Sequence, residues 1–129
     1  MTDNQARSVF DKSQGLGSAR EGVGHWWMQR VTAIALIPLT LWFAGSVLAH
    51  AVDDYAAFKA WLHAPLAAIP MVLLLIALFY HMALGLQVVA EDYLHHERVR
   101  IPAVIAIDLG SFALATSGII ATLRIFWGG

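Results

Sequence analysis

One stretch of this sequence, FYHMALGLQVVAEDYLHHER from Phe79 to Arg98, holds most of the side chains that could do chemistry. His81 is an imidazole inside an uncharged apolar run, Ala64 to Ala90. Read as a helix, it lies about 14 Å from the Ala90 end, at about 1.5 Å per residue. Half a hydrocarbon core is about 15 Å thick, so His81 falls near the middle of a bilayer. Ionisable groups at that depth are rare and face a protein interior or a cofactor. The chain has no cysteine, so any metal or haem ligand must come from His, Met or a carboxylate. An imidazole at this depth can ligate a haem iron, as in b-type cytochromes. It can equally hydrogen-bond a neighbouring helix, and the residue alone leaves both readings open. Gly85, one turn on along the same face, admits a flat macrocycle or another helix. Asp92 returns to within about 20° of the His81 face, whereas Tyr93 is rotated by about 120°. A phenol at a membrane edge can donate a hydrogen bond to a carbonyl oxygen or serve as an aromatic anchor. Asp92 can support such a site or simply end a helix in water.

A six-coordinate haem needs a second axial group. His25, His50, His63, His95 and His96 all lie toward the membrane edges, and Met82 points about 100° away from His81. A second ligand would therefore come from another chain. Three helices also enclose a macrocycle poorly, so an obligate membrane partner is expected. Arg30 sits one turn inside Trp26 and Trp27. There it can snorkel to the interface, neutralise a haem propionate or help hold a quinone head group. Asp108 falls at a similar depth, which makes an Arg30–Asp108 pair a geometric expectation. Ser111, one turn further on, reads as helix packing.

The elements that must position these groups follow from composition. The 129 residues are 59% hydrophobic and 13% charged, against about 25% charged in soluble domains. A net charge of -1 argues against a nucleic-acid partner. Val31 to Ala49 and Ala64 to Ala90 carry no charge, and Ile101 to Leu123 carries only Asp108. Spanning helices need about 20 apolar residues, and none of these runs has the polar face of a soluble helix. The reading is an all-α membrane protein with three transmembrane helices, at about 24–50, 65–93 and 101–127. A polar N-terminal tail, 1–23, precedes the 24–129 anchor. The tail lacks the apolar core of a signal peptide and holds Asp3, Asp11 and Glu21, unlike a transit peptide. Pro38 should kink the first helix, and Tyr55, Phe58, Trp61 and Leu62 suggest a short interfacial helix in the loop after it. Arg7, Lys12, Arg20, Arg30, Arg98 and Arg100 gather on one side, against Lys59 and Arg124 on the other. The positive-inside bias puts the N-terminus in the cytoplasm and the C-terminus in the periplasm.

The spacing of His81, Gly85 and Asp92-Tyr93 resembles the small hydrophobic anchor, the D subunit, of succinate dehydrogenase (respiratory complex II). RVTAIAL, from Arg30 to Leu36 with His25 shortly before it, is similar to the segment opening that family's first helix. The Ser-x-x-His-Arg element typical of the sister C subunit is missing. The resemblance implies that His81 is one axial ligand of a haem b shared with a cytochrome b-type C subunit, with Arg30 and His25 beside the haem. It implies that Tyr93 hydrogen-bonds ubiquinone and that Asp92 supports that site. It also implies a bacterial inner-membrane location and docking of an iron–sulfur subunit on the cytoplasmic face. The flavoprotein and iron–sulfur subunits would hold FAD and the clusters, so this chain would be a non-autonomous subunit of the enzyme. Glu91, next to Asp92, departs from the neutral residue of many relatives. A fumarate reductase anchor and a non-catalytic packing or assembly protein are the alternative readings.

Overall fold

The structure, a computed structural model, describes the backbone of residues 3–128 and the side chains of residues 22–128. Four helices follow in order: α1 (Asp3–Ala49), α2 (Tyr55–His63), α3 (Pro65–Tyr93) and α4 (Glu97–Phe126). Three segments are long and apolar enough to cross a membrane: Gly22–Ala49 of α1, Pro65–Tyr93 and Glu97–Phe126. Inside lipid every backbone polar group must find a partner within the chain, which a helix provides along its whole length. Apolar residues surround these helices, and large ones such as Leu41, Leu48, Leu66 and Phe112 stay exposed. Exposed apolar surface on this scale suits lipid or a partner, not water.

The central element is α3. Both α1 and α4 pack against it, while the backbones of α1 and α4 come no closer than 8 Å, Cα to Cα, among the described residues. The contact surfaces of α3 are built from small residues: Ala67, Ala68, Ala77, Ala83 and Ala90 are all buried, with Leu74 and Leu84 between them. Small side chains let helix backbones approach closely where lipid offers no hydrophobic drive to association. On α4 the approach is close at Gly118, where an added Cβ would lie 3.1 Å from Leu75 Cδ1.

The short helix α2 lies where an interfacial helix was expected. Asp54 caps it, its side chain accepting a 2.8 Å hydrogen bond from the Ala57 backbone N–H, which satisfies one of the free donors of the first turn. Trp61 of α2 stacks on Trp42 of α1, with ring centroids 5.9 Å apart, and also meets His50 and Phe58. His63 and Phe126 make a further ring contact at 6.2 Å. This aromatic cluster ties the α2 end of the bundle together.

Two boundaries differ from the sequence expectation. Helical backbone continues through the expected 23/24 boundary to Asp3. Only the composition changes there, because the polar segment contains no proline to stop a helix. Pro38 lies inside α1 without interrupting it. The final helix begins at Glu97, not after Arg100, so Pro102 lies in its second turn. The start is set by His96, whose carbonyl accepts from the Val99 and Arg100 backbone N–H groups. Glu97 favours the first turn through the helix dipole and lies 3.7 Å from Arg100. The expected Asp92–Arg100 loop thus shrinks to Leu94–His96.

Candidate functional site

His81 projects from α3 toward α1, where it meets Thr32. The Thr32 Oγ1 and His81 Nδ1 are 3.0 Å apart. The direction of this bond follows from counting protons. A threonine hydroxyl has one proton and two lone pairs. Thr32 Oγ1 is 2.6 Å from the Met28 carbonyl oxygen and 3.2 Å from that of Gln29. Carbonyl oxygens only accept, so the hydroxyl proton goes to Met28. Toward the imidazole, Thr32 can then only accept, and Nδ1 donates. That fixes the proton of a neutral ring on Nδ1 and leaves an unprotonated Nε2. Among the described residues Nε2 has no hydrogen-bond partner. The helix-packing reading of His81 is therefore realised at one ring nitrogen, and the ligand reading stays open at the other.

A cavity of about 530 Å³ lies beside this pair, between α1 and α3. His81, Leu84 and Val88 line it from α3; His25, Trp26, Gln29, Arg30, Ala33 and Ile34 line it from α1. Three sequence-derived candidates, His81, Arg30 and His25, thus share one wall system. The Arg30 guanidinium sits over the Trp26 ring, 4.5 Å from its centroid, a cation–π contact that holds the charge at the cavity rim. His25 precedes Thr32 by seven residues, about 10 Å along the axis. It therefore sits at a different level from His81 and cannot face it across a single iron. Among the described residues no three His, Asp or Glu side chains converge as a metal site. His25 and His81 remain as two imidazoles on the cavity wall at different levels, and of the two only His81 is engaged by a neighbouring helix.

Two further features fit an absent group. Gln29 Oε1 is buried without a hydrogen-bond partner, although buried polar atoms are normally paired. The Gln29 Nε2 would lie 3.8 Å from a Cβ added at Gly85, an ordinary contact distance. Packing of α1 on α3 thus leaves room for a side chain at Gly85.

Asp92 and Tyr93 are not part of this cavity. Both are exposed at the C-terminal end of α3. Tyr93 is its last helical residue, and its carbonyl faces His95 Nδ1 at 3.2 Å. The expected Arg30–Asp108 pair is not formed. The Asp108 carboxylate accepts from the Gln87 amide of α3. The Arg30 guanidinium lies instead over the Trp26 ring of its own helix. The Gln87–Asp108 contact faces a second cavity between α3 and α4, also about 530 Å³ and mostly apolar. Buried Ser111 lines the same cavity.

Sequence reading missed Thr32 and Gln29 as site residues. Thr32 stood inside RVTAIAL, and matching its depth to that of His81 on an antiparallel neighbour would have found it.

The family model described as Succinate dehydrogenase/Fumarate reductase transmembrane subunit matches residues 4–118. A protein of Rickettsia bellii named succinate dehydrogenase hydrophobic membrane anchor subunit is 36% identical over 115 residues, covering 89% of this chain and 92% of the relative. The protein of the same name from Rickettsia conorii is 31% identical over 99 residues, 76% of this chain and 79% of the relative. That of Paracoccus denitrificans is 28% identical over 114 residues, 88% and 87% of the two chains. The match runs through all three apolar helices and both walls of the His81 cavity, and the chain belongs to the succinate dehydrogenase/fumarate reductase transmembrane subunit family.

Proposed function

We propose that this chain, a multi-pass membrane anchor of succinate dehydrogenase, supplies one axial ligand of a haem b through His81 and part of a ubiquinone-reduction site through Tyr93 and Asp92. The observation that carries the reading is the His81 ring, engaged by Thr32 at Nδ1 and without a hydrogen-bond partner at Nε2 among the described residues, beside a cavity lined by Arg30. When bound, the haem supplies a one-electron centre. The chain's own residues do the rest. His81 offers a lone pair from a fixed ring. Arg30 brings a permanent cation to the rim, where it can pair with a propionate. The Gln29 amide offers an unpaired polar atom in the same wall. A further ligand would have to come from a partner such as a C subunit, since no second histidine lies at the level of His81 on this cavity wall.

At the end of α3, Tyr93 presents a phenol that donates to a quinone carbonyl, and Asp92 holds a carboxylate beside it. Electrons reach that head group from an iron–sulfur subunit docked on the same side, after a flavoprotein has oxidised succinate. This places the N-terminus and the Leu94–His96 turn in the cytoplasm of a bacterium, with the α2 end outward. The named relatives are all succinate dehydrogenase anchors, which favours the succinate-oxidising direction over fumarate reduction.

The test is an optical spectrum of the purified complex with His81→Ala. The haem b absorption bands should be lost or shifted to those of a five-coordinate iron. Bands identical to those of the wild type would remove His81 as the ligand.

A further inference from the structure

We propose that Thr32 is the positioning residue for His81: it selects the tautomer and fixes the ring orientation that leave Nε2 available to a metal. This deepens the haem reading and rests on it. Three observations carry the idea. First, the hydroxyl is spoken for. Its proton goes to the Met28 carbonyl at 2.6 Å, so its lone pair accepts the His81 Nδ1 proton at 3.0 Å. Second, Thr32 is 6% exposed, so its hydroxyl is held between the two helices. Third, the ordinary explanation of a threonine in a helix accounts for only half of the arrangement. Thr40, Ser117 and Thr122 also bond back to the carbonyl four residues earlier, as helical hydroxyls do. Among the described residues, only Thr32 adds a ring nitrogen from another helix.

The result is a relay: Met28 carbonyl, Thr32 hydroxyl, His81 imidazole. Each bond polarises the next. The carbonyl belongs to the rigid backbone of α1, so the ring of an α3 histidine is aimed from the neighbouring helix. A donor bond from the distal imidazole nitrogen raises the basicity of the nitrogen that binds metal, and losing such a partner costs about 10–100-fold in metal affinity. Thr32 does not touch the metal. It acts through His81.

The experiment uses the intact complex purified from membranes, with Thr32→Val and Thr32→Ser. Valine keeps the shape and removes the hydroxyl; serine keeps the hydroxyl. Haem retention under mild detergent dissociation and the haem midpoint potential are measured on complexes with all subunits present. Thr32→Val should retain haem about 10–100-fold more weakly, with a raised midpoint potential, because Nε2 donates less to the oxidised iron. Thr32→Ser should return both toward the wild type. Wild-type retention and potential in Thr32→Val, or a serine variant as impaired as valine, would overturn the proposal. If Thr32→Val does not assemble, the wild-type complex still decides: in deuterated buffer, double-resonance spectroscopy should find the distal N–D of the ligand histidine with the lowered quadrupole coupling of a hydrogen-bonded deuteron. The coupling of an unbonded N–D would overturn the idea. His81→Ala separates the two levels. An unchanged haem spectrum there removes the ligand assignment itself, whereas a silent Thr32→Val beside a sensitive His81→Ala removes only the role of Thr32.

Discussion

Tyr93 is 78% exposed at the last position of α3, and its hydroxyl has no hydrogen-bond partner among the described residues. A single neutral hydrogen bond is worth about 0.5–1.5 kcal/mol. Removing it from a bound quinone should therefore lower kcat/KM for quinone reduction about two- to tenfold. Tyr93→Phe should show that loss while succinate oxidation with an artificial acceptor stays at the wild-type rate. Full quinone reductase activity in the variant would sink the assignment. His81 poses the opposite problem. Its depth was readable from the spacing to Ala90, because helical rise is constant. Its bonding was not, because the partner lies 49 positions away in sequence and only packing brings Thr32 to it. The same limit explains Asp108. Depth alone made Arg30 and Asp108 a plausible pair, but depth says nothing about which helices touch. Once α3 lies between α1 and α4, Gln87 is the polar group within reach of Asp108.

The helices themselves were legible because each apolar run comes close to or exceeds the length a bilayer demands, about 20 residues. Pro65 to Tyr93 matches its expected limits, since a first-turn proline opens the helix and polar residues follow its end. The start of α4 was less legible: Pro102 looked like a first-turn proline, yet His96 and Glu97 nucleate the helix one turn earlier. Close packing between elements was not visible at all. Gly118 is a tight point between α3 and α4, with Leu75 methyl carbons at 3.1 and 3.2 Å from a would-be Cβ. Overpacking of this kind typically costs about 1–3 kcal/mol. Gly118→Val should therefore lower the thermal stability of the complex, and Leu75→Ala in the same chain should recover part of the loss. Additive losses in the double variant would show that the two residues do not share the contact.

For the whole molecule, a cysteine-free chain allows its topology to be read directly. Single cysteines at Glu97 and Ala56 lie at opposite ends of α3. In intact cells, a membrane-impermeant maleimide should label Ala56→Cys, while Glu97→Cys should react only after the cytoplasmic face is opened. The reverse pattern would invert the proposed orientation. The molecule is also unevenly fastened. Trp61, Trp42, His50 and Phe58 rivet one rim, whereas the walls from His25 to Ile34 and from His81 to Val88 bound a void toward the other. A frame pinned along one rim breathes most at the opposite rim. Amide exchange should therefore quicken from the α2 rim toward the far one, much as a book held by its spine opens at the fore-edge. Whatever seats itself at that fore-edge closes the volume, so binding there and rigidity of the anchor become one event.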